Sequence, residues 1–147
     1  MESQQENRQD FEPFIVAFVC NWCTYTAADL AGTSRLQIPK NVHLIRVMCT
    51  GMVDSQYIIK ALLEGADGVL VSGCHPGDCH YINGNFKARR RMKLLQAMLA
   101  TMGIEPQRLR LTWIGASDGI QFAQTMRELV EQVRQLGPNP GAARSVA

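Results

Sequence analysis

The sequence predicts an α/β fold: a single domain with a four-stranded parallel sheet and helices on both faces. Three observations predict it. The chain has 147 residues, 46% of them hydrophobic, which suits one domain around one core. Four short apolar runs, "PFIVAFVC", "VHLIRVMC", "GVLVSGC" and "LRLTWIGA", recur along it. A helical pattern follows each run, and strands alternating with helices imply parallel pairing through right-handed crossovers.

The first run is continuous, apolar and β-branched, as in a strand covered on both faces. A short helix over roughly Tyr25 to Ala31 follows and is closed by Gly32. After the second strand, Asp54 caps a helix carrying Ile58, Ile59, Leu62 and Leu63, which stops at Gly65. After the third, a long helix from about Asn85 to Met102 sets Met92, Leu95, Leu99 and Met102 on one face. After the fourth, Asp118 caps a helix in which Phe122, Met126, Leu129, Val133 and Leu136 recur at steps of four and three. Gly137-Pro138 ends it. The result is a flavodoxin/Rossmann-like three-layer plan over residues 13–137. Residues 1–12 form a polar arm and residues 138–147 a Gly/Pro/Ala-rich tail, both expected to be flexible or ordered only against a partner.

Composition narrows the function classes. A formal net charge of +2 gives no argument for nucleic acid. The apolar runs are too short to cross a bilayer, and the N-terminus lacks the apolar core of a signal peptide. A cytoplasmic protein is expected, and structural disulfides are rare in that compartment. No Ser-His-Asp arrangement, acid–base carboxylate pair or P-loop is evident. "GADGVLVSG" is not a G-x-G-x-x-G that opens a helix.

The five cysteines carry the chemistry. Cys20, Cys49 and Cys74 end the first three strands; Cys23 and Cys79 lie in the loops just beyond. Open parallel sheets bind ligands beyond the carboxyl ends of their strands. All five thiols are therefore expected at one sheet edge, although C-x2-C at 20 and 23 and C-x4-C at 74 and 79 are weak motifs alone. Such soft ligands select zinc or an iron–sulfur cluster. A [2Fe–2S] cluster needs four cysteines, and Pro76-Gly77, Gly51, Gly73 and Gly84 permit the tight turns whose N–H groups support one. Two other readings remain open at this level: a thiol–disulfide oxidoreductase using Cys20 and Cys23, and a zinc-stabilised adaptor. A third is that one or two of the thiols are simply buried apolar groups. Across the Pro-Gly turn, Cys74 and Cys79 are placed to clasp one iron. Cys20 completes an apolar run and is expected to be the spare thiol, leaving Cys23, Cys49, Cys74 and Cys79 as ligands.

The blocks "CNWCTYTAADLAGTSR", "VMCTGMVD", "GADGVLVSGCHPGDCHYINGN", "KARRRMKLL" and "WIGASDG" resemble the delta subunit of methyl-viologen-reducing hydrogenase. The resemblance covers about residues 14–135, and all five cysteines match its pattern. It implies a small electron-transfer protein with a [2Fe–2S] cluster. It also implies two partners: an input enzyme of hydrogenase or formate dehydrogenase type, and the flavin-containing A subunit of a heterodisulfide reductase.

Other residues are weighed against this. His75 and His80 flank the cysteine pair and are expected either to hydrogen-bond a thiolate or a partner or to be satisfied loop histidines, not to bind metal. Lys87, Arg89, Arg90, Arg91 and Lys93 form a solvated helix face or a docking patch for an acidic partner. Trp22 and Tyr25 are core or interface aromatics, and Trp113 packs in the sheet.

Overall fold

A computed structural model describes residues 10–142. The strands are β1 (Ile15–Cys20), β2 (Val42–Val47), β3 (Gly68–Gly73) and β4 (Leu109–Trp113). They form one parallel sheet in the order β2-β1-β3-β4. The helices between and after them are α1 (Thr24–Thr33), α2 (Ser55–Glu64), α3 (Gly84–Thr101) and α4 (Gly119–Leu136).

Alternation within the central strands builds two cores. Ile15, Ala17 and Val19 point toward α1 and α4, where they meet Ala27, Ala31, Phe122, Met126 and Leu129. Val16 and Phe18 point the other way, toward Ile58 and Leu62 of α2 and Met92, Leu95 and Leu99 of α3. β1 and β3 are buried at every residue because helices cover both their faces. β2 is an edge strand and is largely exposed, its apolar Leu44 and Ile45 included. Among the described residues, no helix is long and apolar enough to cross a membrane.

Several local expectations change. Gly32 lies inside α1, which runs on to Thr33 and stops at Ser34. Leu63 and Met102 are exposed rather than part of the core, because the apolar stripes of α2 and α3 are narrower than their sequences suggest. Asp54 does cap α2, its carboxylate accepting from the Gln56 N–H at 2.9 Å. Asp118 stands at the N-cap of α4 but makes no side-chain cap bond, because its carboxylate is committed elsewhere.

The sheet's N-terminal edge is fastened by a buried polar knot. The Arg108 side chain is fully buried and donates to Glu105 at 2.7 Å, to the Asp67 carbonyl at 2.9 Å and to the Pro138 carbonyl at 3.2 Å. The Asp67 carboxylate accepts from the N–H groups of Phe14 and Asn139. The buried Asn139 amide in turn donates to the carbonyls of Leu62 and Ala66. Residues 138–142, assigned from sequence to the tail, thus begin as a segment anchored on α2 and the loop before β3. The Phe11 carbonyl and the Glu12 carboxylate likewise accept from Arg134. Residues 1–9 and 143–147 of the expected arm and tail lie outside the described residues.

Candidate metal centre

The strand order reverses direction between β1 and β3, so the chain leaves their C-terminal ends toward opposite faces and a crevice opens there. Cys20 is the last residue of β1 and Cys74 immediately follows β3. Their sulfurs lie 3.7 Å apart across the crevice. Cys23, at the N-cap of α1, joins them: the three sulfurs lie within 4.8 Å of one another. Cys49, just beyond β2, faces Cys79 with 3.8 Å between sulfurs. The five thiols therefore meet at one edge, as expected, but in groups of three and two. Cys74 and Cys79 do not form the pair that their shared turn suggested.

These spacings bear directly on the chemistry. A disulfide needs about 2.05 Å between sulfurs. Two thiolates on one tetrahedral metal, each at ~2.3 Å, stand ~3.8 Å apart. The observed 3.7 and 3.8 Å exclude a disulfide and fit both thiolates that share a metal and neighbouring thiols in S–H···S contact.

The backbone is arranged to serve charged sulfur. The Gly51 N–H donates to the Cys49 sulfur at 3.4 Å. N–H groups of Trp22 and Cys23 point at Cys20, and that of His80 points at Cys74. Cys79 receives the N–H groups of Asn85, Tyr81 and Gly84, two of them from the first turn of α3, where the helix dipole also favours negative charge.

Acidities follow from this. The Cys23 thiol, then the Trp22 N–H, hydrogen-bond Cys20 and hold its pKa near 6 against the opposing effect of burial. The same contact with Cys20, with burial, pushes Cys23 far up. Burial raises Cys49 to about 11 and also raises Cys74. Burial would raise Cys79 too, but its N–H donors together bring it below the ordinary thiol value. Burial does not single out Cys20: Cys23, Cys49 and Cys74 are buried as well, and Cys79 is the one half-exposed thiol.

Glycine makes room for the sulfurs. A Cβ on Gly84 would overlap the Cys49 sulfur and come within 3.3 Å of that of Cys79. Gly51 packs against Gly84 so closely that its own Cβ would reach the Gly84 Cα at 3.0 Å. The cradle, its all-thiolate donors and their N–H partners fit an iron–sulfur group.

Each histidine has partners among the loop residues. The His75 Nε2 lies 2.9 Å from the Asp118 carboxylate, which also accepts from the Gly115 N–H at 2.8 Å. His75 thus ties the β3–α3 loop to the β4–α4 loop, and its N–H bond explains why Asp118 does not cap α4. That bond and the Gly115 N–H hold the Asp118 carboxyl below its usual pKa. The His80 ring stacks on Trp22 at 3.9 Å between centroids and meets Tyr81 edge-on at 5.0 Å. Among the described residues, neither imidazole hydrogen-bonds a cysteine sulfur. Tyr25 lies under the Arg46 guanidinium, and Trp113 lines a groove between α3 and β4.

Several supporting residues were missed from sequence. Asn85 is buried and its amide donates to the carbonyls of Cys74 and His75. Thr24 and Ser72 join Thr112 in a hydroxyl chain beneath the crevice, with 3.0 Å between neighbours. Arg91, read as part of a basic face, instead clamps the β2–α2 loop through the carbonyls of Gly51 and Val53. Only the polar residues standing at positions facing the sheet hinted at these roles.

Known proteins have similar sequences. The family model described as "Methyl-viologen-reducing hydrogenase, delta subunit" matches residues 15–137. The iron-sulfur subunit of the F420-non-reducing hydrogenase of Archaeoglobus profundus is 53% identical over 130 residues, 88% of this chain and 95% of that protein. The iron-sulfur subunit of the F420-non-reducing hydrogenase vhc of Methanococcus voltae is 48% identical over 130 residues, 88% of this chain and 90% of its own. In Methanosarcina acetivorans, the A subunit of a ferredoxin/F(420)H(2)-dependent CoB-CoM heterodisulfide reductase is 48% identical over 126 residues, 86% of this chain but 16% of that longer protein. With its five thiols gathered at the sheet edge and its match running from β1 to the end of α4, the chain belongs to the delta-subunit family of methyl-viologen-reducing hydrogenase.

Proposed function

We propose that the five-cysteine centre holds a [2Fe–2S] cluster and that the protein is a cytoplasmic electron relay. It passes electrons between an input oxidoreductase of hydrogenase or formate dehydrogenase type and the flavin-containing A subunit of a heterodisulfide-reductase-like complex. The observation that carries the reading is the gathering of all five thiols at one sheet edge, Cys49 and Cys79 at 3.8 Å, a tetrahedral-edge spacing, beside Cys20, Cys23 and Cys74 within 4.8 Å of one another. The relatives' names supply the partner classes, and one relative contains this domain within the A subunit of a heterodisulfide reductase.

Cys49 and Cys79 would hold one iron, and Cys23 and Cys74 the other. Cys20 is left over as a thiol, since its sulfur has a carbonyl acceptor, Met48 O at 3.8 Å, that serves only a protonated group. The N–H groups of Trp22 and Cys23 favour the opposite state of Cys20, and the direct S–H acceptor is the reason for the choice. Bound there, the cluster supplies reversible one-electron storage. The chain's own part is to hold the thiolates in place, aim N–H groups at them and keep water out of the crevice. Those N–H bonds favour added negative charge and so raise the potential.

A dithiol reading has one supporting observation, the lowered pKa of Cys20 beside the raised one of Cys23. Burial argues against it: Cys20 and Cys23 are 2% and 5% exposed, out of reach of a disulfide substrate. The relay is tested by mixing the pre-reduced protein with the oxidised flavoprotein partner. Bleaching of the flavin absorbance supports the reading; an unchanged flavin spectrum alongside an unreoxidised protein sinks it.

A further inference from the structure

The relay reading raises the question of where the flavoprotein partner docks, and one surface stands out. Cys79 is the one thiol that is not buried, so the centre is most thinly covered there. A cleft of about 470 Å³ opens beside it, lined by Met48, Cys49, Met52, Tyr81, Gly84 and Lys87. Met48, Met52 and Tyr81 are exposed apolar side chains on its rim. Ile82, three residues after Cys79, is 82% exposed.

Ile82 is also the strained residue of the site. Its φ is +75°, in the left-handed region that β-branched side chains avoid. Such a conformation costs on the order of 1–3 kcal/mol, persists only where the surrounding structure holds it, and clusters at functional sites. With most of its side chain in solvent, Ile82 gains little packing within the chain to offset that cost. The turn holds it outward beside the exposed thiol.

Charge supplies the third observation. From Gly84 to Thr101, α3 contains five Lys and Arg residues and no Asp or Glu. Arg91 is used by the β2–α2 loop. Lys87, Arg89, Arg90 and Lys93 form no ion pair among the described residues. Lys87 lines the cleft, and Arg89, Arg90 and Lys93 continue the stripe along the helix with the exposed Phe86.

We propose that this cleft and stripe form the docking face for the flavin-containing partner, which presents carboxylates around an apolar hollow that receives Ile82. The inference rests on the relay reading above. Docking here places the partner's redox group beside Cys79, the shortest way out of the crevice. The basic stripe steers the encounter, and Ile82 with the methionines forms the contact that excludes water.

The test measures binding of the iron-loaded protein to the purified flavoprotein partner. Lys87→Glu/Arg90→Glu is expected to keep the iron content and visible absorption of the unaltered protein, yet to bind about tenfold or more weakly at low salt. The deficit is expected to shrink near 1 M salt, where the Debye length is ~3 Å. Ile82→Asp is expected to weaken binding at both salt levels. Lys40→Glu/Lys60→Glu changes the net charge equally on other surfaces and is expected to bind as before. If Lys87→Glu costs iron, Arg90→Glu/Lys93→Glu, farther along α3, provides the same reading. Unchanged binding by both the charge-reversed and Ile82→Asp proteins overturns the proposal, as does an equal loss in the Lys40→Glu/Lys60→Glu control. If the unaltered protein itself fails to bind the flavoprotein, the relay reading fails instead, so the two failures are distinguishable.

Discussion

Gly84, the first residue of α3, stands so close to Cys49 that a methyl group in its place would overlap the cysteine sulfur. The helix that carries Asn85, Arg91 and the basic stripe therefore begins against the metal centre. The same residue donates an N–H to Cys79. Its lack of a side chain and its backbone donor serve the two thiols of one pair.

Gly84→Ala is expected to fold, since alanine suits a helix better than glycine does. It should bind less than half the iron of the unaltered protein, because Cys49 is displaced. Iron per folded chain, with helix content by circular dichroism, checks this. Full iron content would show that the sulfur can move aside without consequence.

Arg108 anchors the opposite end of the sheet. Replacing it with methionine keeps much of its volume but leaves the Asp67 and Pro138 carbonyls without their donor. The loss is expected to be about 2–4 kcal/mol, which lowers Tm by roughly 10 °C for a chain of this size. Thermal unfolding of the iron-loaded protein measures it, and the visible spectrum at 25 °C should stay unchanged because the knot lies at the far edge from the cysteines.

These two sites mark what was legible in sequence and what was not. The strands, the helices and the convergence of Cys20, Cys23, Cys49, Cys74 and Cys79 follow from apolar periodicity and from the rule for parallel sheets. The grouping does not. Sequence distance ties Cys74 to Cys79, but β3 places Cys74 against Cys20, and the start of α3 places Cys79 against Cys49. Pairing across the crevice depends on strand order, which periodicity does not encode. Asn139 escaped for a related reason: a Gly/Pro-rich segment reads as loose, while one buried amide with two carbonyl acceptors suffices to fasten it. Arg91 reads as surface charge because its acceptors are backbone carbonyls, invisible in sequence.

The Trp22–His80 stack joins the β1–α1 loop to the β3–α3 loop above the crevice. Trp22→Ala removes a contact worth about 0.5–1.5 kcal/mol beyond simple burial. The iron content is expected to hold under anaerobic conditions, while bleaching in air should quicken about two- to tenfold. Absorbance decay after air exposure gives the answer; an unchanged rate would mean that the stack does not guard the centre.

Serine replacements divide the thiols. Cys49→Ser and Cys79→Ser should each lose or distort the reduced-state EPR signal, as should Cys23→Ser and Cys74→Ser. Cys20→Ser should retain the signal with a shifted potential, because its contact with Cys74 is close enough to tune the site. If Cys20→Ser abolishes the signal while one of the other four leaves it intact, that residue is the spare.

The central claim is that Cys23, Cys49, Cys74 and Cys79 hold a [2Fe–2S] cluster, with Cys20 beside it. Iron and acid-labile sulfide, measured on protein purified without oxygen and related to its concentration, test it most directly. About two irons and about two sulfides per chain are expected, in a brown protein that becomes EPR-active on one-electron reduction. A colourless protein carrying zinc and no sulfide, or one free of metal with reactive thiols, would contradict the account.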